Sequence, residues 1–474
     1  LSDTTADRNP VVESFLATAC GGSDGLILDI HPADNMFAFL LRDQLEHRDG
    51  ALVSYFRSGW SAARTVLALR EQWQQLAQLP APLRILDFAG GYGRSTRFLV
   101  REHDPAAITV CDILPDAVEF QRTRFGVTGA LSATAPEDLE LDGPFDLIFV
   151  GSLFSHLPER SFGRWLARLA ALLSPRGLLA ITTHDQSLML PGREMPDSGL
   201  YFEAMSDLGE RLELADYGSA WVSPGFVDGV IDRLLGPSMG RRRISRGAWS
   251  YQDLWLISHE VAPLAELDVP LEPQMFLEQL HRTADRRLLA AGWVADIGAG
   301  QVLPRVELLV DSRTAASATP TGLRPDVSQM LAIDEARPVG FEIEIELERP
   351  LDATQIVTLR ATTAAGVVYV GHCDALASSE LLASLRRAQF ALDRVASRVE
   401  GLEADLATTA AERDGLTQLL ADAQFVVSCR EYELGIERSR TAALEAQIAA
   451  MQASRFWKLR EWWFRLKRAL GQQG

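Results

Sequence analysis

The chain has 474 residues, 47% hydrophobic and 23% charged, which is enough for two or more domains and an ordinary globular composition. Its net charge of −18 and pI of about 5.0 argue against nucleic acid as a substrate, because a phosphate backbone calls for a positive footprint. Cys20, Cys111, Cys373 and Cys429 are scattered without CxxC spacing and the eight histidines form no HExxH, so reduced cysteines, a cytoplasmic chain and no metal are expected. The first thirty residues do not form a basic-then-apolar signal peptide, and no segment offers the roughly 20 apolar residues that cross a bilayer.

In chain order, Asn35 to Leu79 reads as helical, with an apolar patch from Met36 to Leu41 and a second helix from Thr65 that ends at Pro80 and Pro82. Between them lies ALVSYFRSGW, Ala51 to Trp60. Next comes ILDFAGGYGRSTRFL, Ile85 to Leu99: an apolar run ending on Asp87, a tight turn carrying Gly90, Gly91 and Gly93, then a helix start. A second run, Ile108 to Ile113, ends on Asp112, 25 positions after Asp87, where the next parallel strand of a nucleoside-binding unit offers a carboxylate to ribose. Phe145 to Leu157 is a third buried strand whose end carries Gly151, Ser152 and His156. After a helix through Trp165, Leu166, Leu169 and Leu172, ALLSPRGL reads as a helix stop before a strand at Gly177 to Thr183.

In this order of motifs, roughly Asn35 to Glu260 resembles the class I S-adenosylmethionine-dependent methyltransferases. The resemblance implies a Rossmann-like α/β domain in which Asp87, Ala89, Gly90, Gly91 and Gly93 form the loop for the methionine part of the cofactor and Asp112 holds its ribose. It places Gly151 and Ser152 beside the transferred methyl, makes Tyr251 to His259 the last, antiparallel strand, and makes the N-terminal segment a cap from which Tyr55, Arg57 and Gly59 reach the methionine moiety. Ala89 stands where the family usually has its first glycine. Dinucleotide dehydrogenases use a similar turn, but their third glycine lies one residue further on, and Asp87 directly before the loop favours the methyltransferase pattern.

Methyl transfer is an in-line displacement, so the protein supplies alignment and an electrostatic setting, and a hydroxyl acceptor needs a base. His156 and His184, at the ends of two parallel strands, suit that role near neutrality, with Asp185 as partner or alternative base. The stretch His184 to Gly247 is longer than a connection needs to be. It is read as a lid and acceptor pocket, with a helix from Tyr201 to Leu214 and with Tyr217, Trp221 and Ser223 lining the pocket. Arg241, Arg242, Arg243 and Arg246 form a small basic patch for a phosphate, a carboxylate or a partner surface.

Beyond Val261 the composition changes. A proline-marked boundary leads to a helix-like stretch up to Ala291, then to strands with clean alternation at Phe341, Ile343, Ile345 and Leu347, expected to form a small β-sandwich over about 290–374. Trp293, Asp311, Arg324, Asp326 and Phe341 stand in a pattern that resembles the Ig-like modules attached to bacterial polysaccharide glycosyltransferases and methyltransferases, which implies a glycan-binding or spacing role. From Ser378 to Ser454 apolar residues recur alternately three and four apart, the heptad beat of a coiled coil and hence of a homo-oligomer. In SRFWKLREWWFRLKRALGQQG six basic residues face one acid around Trp463 and its apolar neighbours, an amphipathic helix suited to an anionic membrane surface. That tail also resembles the ends of coiled-coil proteins of bacterial polysaccharide assembly.

The expected organisation is a helical cap over 1–80, a Rossmann-like domain over 81–262, a β-sandwich with helical linker over 263–377, a coiled coil over 378–454 and a basic tail over 455–474. The resemblances together imply an S-adenosylmethionine-dependent O-methyltransferase acting on a sugar hydroxyl of a surface polysaccharide or its precursor, peripheral at the inner face of the cell membrane. Its expected partners are a second copy of the chain, a glycan, and an anionic membrane or polysaccharide-assembly proteins. A small-molecule or nucleotide-sugar methyltransferase and a non-catalytic scaffold of polysaccharide assembly remain as alternatives.

Overall fold

A computed structural model describes residues 9–43, 47–189, 192–204, 217–297, 304–380 and 413–453. The chain forms two compact units, Leu1–Ser384 and Leu385–Gly474.

The first unit opens with helix α1 (Pro10–Cys20), started by Asn9, whose side chain accepts from the amides of Val11 and Val12, and stopped by Gly21 in the left-handed region. Helices α2 (Asn35–Asp43) and α3 (Arg48–Leu76) follow. The two segments expected between Ala51 and Leu79 are one continuous helix. Gly59 lies inside it at the point where the backbone carbonyl of Arg94 occupies the space a Cβ would need.

The central sheet contains β1 (Ile85–Phe88), β2 (Ile108–Asp112), β3 (Thr128–Leu131), β4 (Phe145–Val150) and β5 (Leu173–Asp185), ordered β3-β2-β1-β4-β5 and all parallel. Helices α4 (Thr96–Glu102), α5 (Pro115–Phe125) and α6 (Glu159–Ala170) connect these strands. Strand β5 begins earlier than expected: Pro175 and Gly177 sit in a bulge, where its partner register jumps from Phe145↔Leu173 to Leu147↔Leu178. The strand order reverses between β1 and β4, which opens a crevice at their carboxyl ends, the usual ligand position in such sheets.

Four more strands complete the sheet: β6 (Leu200–Glu203), β7 (Ser219–Val222), β8 (Gly240–Ala248) and β9 (Gln252–Ser258). Strand β9 lies antiparallel on β5 and β8 on β9, while the far end of β5 forks to pair with β7. Tyr201, expected on a helix, is in strand β6, paired with β7; the rest of that expected helix, from residue 205, lies outside the described residues. Helices α7 (Pro224–Leu234) and α8 (Val261–Glu266) close this half.

The helix-like stretch expected up to Ala291 is instead a hairpin, β10 (Gln274–Ala284) and β11 (Arg287–Ala295), paired antiparallel with a bulge between Leu277 and Gln279. Strands β12 (Arg305–Val310), β13 (Arg313–Ala318), β14 (Gly340–Glu346), β15 (Ile356–Thr362) and β16 (Val368–Ala375) follow, with a short helix α9 (Pro325–Leu331). They make sheets ordered β10-β11-β14 and β13-β12-β15-β16, which share a core of residues such as Leu280, Leu288, Ile343, Leu308 and Leu359. In the second unit, Arg413–Ala453 is a helix, α10. The rest of the expected coiled coil and the whole basic tail lie outside the described residues. Among those described, no helix is long and apolar enough to cross a membrane.

Helices α1 and α3 lie against β15 and β16. Ser14 Oγ is 3.1 Å from Ser312 Oγ and 3.4 Å from Thr358 Oγ1, Cys373 Sγ donates to the Val11 carbonyl, and His47 pairs with buried Asp374. From α3, Arg57 Nη1 donates to the Gly371 carbonyl at 3.1 Å, and Arg64 binds Glu272 at 2.6 Å and the Val368 carbonyl at 3.1 Å. Ser61 Oγ donates to the other Glu272 oxygen at 2.8 Å. Glu272 is 9% exposed, so Glu272→Ala strands a largely buried arginine and is expected to cost about 3 kcal/mol in urea unfolding. A loss under about 0.5 kcal/mol, the level of an ordinary surface substitution, would contradict this anchoring.

Candidate functional site

Asp87 lies one residue before the end of β1, 2% exposed, and one of its oxygens accepts from Ser95 Oγ at 3.2 Å and Thr96 Oγ1 at 2.8 Å. The carboxylate therefore ties the start of α4 back over the turn. Burial pushes its pKa up to about 6, against the pull of those hydroxyls. A Cβ on Gly90 would stand 3.0 to 3.3 Å from both Asp87 oxygens, so glycine here leaves the carboxylate reachable through the turn. Gly91, at φ 55°, has open space where a Cβ would stand, and its amide donates to Asp112 Oδ2 at 2.8 Å. The other Asp112 oxygen accepts from the Leu114 amide at 3.0 Å. A Cβ on Gly93, at φ 73°, would lie 2.3 Å from Phe125, so that glycine serves packing against α5. Ala89 adopts φ 59°, the conformation that glycine takes without strain.

Gly151 and Ser152 lie opposite, at the end of β4. Ser152 is also left-handed, at φ 61°, with its amide donating to Thr182 Oγ1 at 2.7 Å and its hydroxyl 3.2 Å from Gln252 Nε2. Beyond them is a cluster of rings. His156 stacks on Tyr217 with centroids 4.8 Å apart, and His184 lies 6.2 Å from His156, 6.0 Å from Trp221 and 6.2 Å from Tyr251. Trp221 also contacts Tyr201, and Tyr251 contacts Trp249.

The two histidines are held differently. His156 Nδ1 is 2.6 Å from the Gly218 carbonyl, which only accepts, so Nδ1 carries the hydrogen and Nε2 the lone pair of the neutral ring. Gln252 Nε2 donates to His184 Nε2 at 3.1 Å, which engages that lone pair. Burial, reinforced by His156, drives the His184 pKa down to about 4, so its ring is neutral at physiological pH and a poor proton acceptor.

Several sequence-predicted roles are redirected. Tyr55 is fully buried, donating to Asp34 Oδ2 at 2.7 Å and accepting from Arg97 Nη2 at 3.2 Å, which leaves no route to the turn. Arg57 points to Gly371 in β16, and Gly59 is filled against by the Arg94 carbonyl. Asp185 is bound to Arg243 at 2.8 Å rather than to His184, and Ser223 caps α7 by accepting from the Phe226 amide. The basic patch is spent internally: Arg241 on Asp228 and Asp232, Arg243 on Asp185 and Asp253, Arg242 and Arg246 on backbone carbonyls. Gln252, Trp249 and Tyr251 were not foreseen as site residues. The one available signal was a pair of aromatic residues, Trp249 and Tyr251, directly before the glutamine that opens β9.

Residues 86–179 match the model of a methyltransferase domain family. Among curated proteins the chain is similar to a biotin biosynthesis bifunctional protein of Bordetella avium, 35% identical over 139 residues, 29% of this chain and 29% of that protein. It is also similar to the trans-aconitate 2-methyltransferase of Methylobacterium nodulans, 33% identical over 133 residues, 27% of this chain and 50% of that protein. The chain thus covers under two thirds of the length of these relatives. Solved structures that align include a TehB-like SAM-dependent methyltransferase from Corynebacterium glutamicum, at 18% identity and TM-score 0.26, covering 40% of this chain and 86% of that one. The plantazolicin methyltransferase BamL aligns at 12% identity and TM-score 0.32, covering 48% and 98%. Over residues 86–179 the central sheet thus carries a Rossmann-like methyltransferase domain, and the cofactor expected of it is S-adenosylmethionine. The open cradle at Gly90 and Gly91, with Asp87 and Asp112 on either side of it, fits that cofactor.

Because Asp87 binds its proton more tightly when folded, its contribution to stability is full below pH about 4 and is lost as pH rises through about 6. Asp87→Asn is therefore expected to raise the melting temperature of the ligand-free protein at pH 8 and to leave it unchanged at pH 4; an equal change at both would contradict the buried charge. Ala89→Gly should stabilise by about 1 kcal/mol in urea unfolding by releasing the left-handed strain, and a destabilisation would show that the methyl group is needed.

Proposed function

We propose that the protein transfers the methyl group of S-adenosylmethionine to a hydroxyl group of a sugar, in a bacterial surface polysaccharide or its precursor. The observation that carries this reading is the ring cluster beside the glycine turn. Aromatic faces from Tyr217, Trp221 and Tyr251 suit the C–H faces of a sugar; Tyr217 stacks on His156, which is fixed in one tautomer, and Trp221 and Tyr251 flank His184. The bound cofactor supplies an electrophilic methyl on a sulfonium. His156, held through Nδ1 by Gly218, takes the acceptor hydroxyl proton on Nε2 as the oxygen attacks. His184 stays neutral and, through Gln252, keeps the Ser152 side of the crevice in place. In the same reading the two C-terminal sheets form a β-sandwich module, α10 belongs to a self-associating coiled coil, and the basic tail meets an anionic membrane at the inner face of the cell.

A carboxylate on a small molecule is the second reading. It is favoured by the low pKa of His184, since a carboxylate needs no base, and by the trans-aconitate 2-methyltransferases among the relatives.

His156→Ala is expected to lower single-turnover transfer by roughly 10²- to 10⁴-fold at saturating cofactor and to remove the acid limb of the pH–rate profile. His184 should add no second limb above pH 5. Acceptor panels containing monosaccharides, nucleotide sugars and tricarboxylates decide the substrate class: transfer to tricarboxylates alone, unaffected by His156→Ala, would overturn the sugar reading.

A further inference from the structure

Arg94 follows the glycine turn directly, and its side chain runs along α3, with Cγ 3.0 Å from where a Cβ on Gly59 would stand. Its Nη1 donates to Ser58 Oγ at 2.9 Å. The Ser58 carbonyl accepts from Trp249 Nε1 at 2.9 Å, and the Trp249 ring lies 3.1 Å from where a Cβ on Gly151 would stand. Ser58 thus joins the turn to the β8–β9 hairpin and the end of β4, and the guanidinium lies at that junction. Its positive charge acts on both Asp87 and Tyr251.

The neighbouring arginines are accounted for. Arg64 holds Glu272, Arg241 holds Asp228 and Asp232, and Arg243 holds Asp185 and Asp253. Arg97 is consumed by carbonyls and by Tyr55. Half-buried Arg94 has no carboxylate within ion-pair distance among the described residues, and a single serine hydroxyl engages one of its five N–H groups. A cation held at the rim of a crevice on one neutral hydroxyl is arranged to receive an anion.

The cofactor brings one such anion close to the turn, together with an ammonium group of opposite sign. Asp87, reachable through Gly90, provides negative charge below the turn, and Arg94 provides positive charge on its cap side. We propose that Arg94 receives the α-carboxylate of the cofactor's methionyl group, the role that the sequence pattern assigned to the Tyr55, Arg57 and Gly59 segment. Resting on the methyltransferase reading, this makes Arg94 a cofactor-binding residue and Ser58 the residue that positions it. The Ser58 hydroxyl holds the guanidinium in the crevice while leaving its other donors to the ligand.

Isothermal titration with two probes tests it: S-adenosylhomocysteine, which keeps the amino-acid moiety, and 5′-methylthioadenosine, which lacks it. Arg94→Met is expected to weaken S-adenosylhomocysteine by about 10- to 100-fold and to leave 5′-methylthioadenosine unchanged. Arg94→Lys should recover part of the loss, and Arg57→Met should bind both probes like wild type. An equal loss for both probes would show a structural role and overturn the proposal, as would no loss for either. Failure of the wild-type chain to bind S-adenosylhomocysteine would instead overturn the cofactor reading itself.

Discussion

The organisation of the site depends on Arg97, a guanidinium with no solvent exposure. Its donors reach the carbonyls of Ile27 at 2.9 Å, Asp29 at 3.0 Å and Gly93 at 3.2 Å, and the hydroxyl of Tyr55. The rings of Tyr55, Phe56 and Phe125 surround it at 5.2 to 5.5 Å. A buried cation is costly unless its donors are met, and these contacts come from four separate parts of the chain. One side chain therefore fixes the N-terminal loop, α3, α5 and the last glycine of the turn to one another. Tyr55 passes the arrangement on to Asp34, and burial beside that carboxylate holds the phenol protonated. The cap is thus built into the cofactor site and cannot shift without exposing Arg97.

From that fixed point the crevice divides its chemistry between two sides. On the β1 and β2 side two buried carboxylates shape a strained turn, Asp87 through hydroxyls and Asp112 through amides. On the β4 and β5 side a second left-handed residue, Ser152, turns the chain so that Gln252 can bridge it to His184. Strain at both lips of the crevice, at Ala89 and Ser152, is the pattern of a site whose backbone is held by its surroundings rather than by local preference. The two histidines, 6.2 Å apart, then separate by environment: one is oriented through Nδ1 by the Gly218 carbonyl, and the other accepts from the Gln252 amide.

What was legible in the sequence is what local chemistry determines. Apolar runs ending in Asp87 and Asp112, the glycine cluster, and strands at residues 145–150 and before His184 follow from period and turn residues, and the structure has them in the expected order. What escaped was set by tertiary partners. Asp185 reads as a base until Arg243 arrives from 58 positions away, whereas the Ser223 cap, formed with Pro224 and Phe226, is local and was open to the sequence. Arg57 reads as a cofactor contact in the sequence, and Arg94 carries no such mark. The packing of α3, with Gly59 against the turn and Arg57 against β16, reverses that order.

The same helix settles how the C-terminal sheets relate to the catalytic half. A composition change near Val261 suggests an independent appendage, yet α3 contacts the glycine turn through Ser58 and Gly59 and contacts β16 and Glu272 through Arg57, Ser61 and Arg64. These contacts lie within one to six residues of each other, less than two helical turns. A rigid helix so short between its contacts transmits position, and the β strands therefore bear on where the turn lies. Coupling that regulates needs an element with two arrangements, whereas this interface is made of the Arg57 bond to the Gly371 carbonyl and largely buried ion pairs that break rather than slide. The physical role that follows for the sheets is to buttress the cap, so that the cofactor turn is held from the β4 side by Trp249 and from behind by β16.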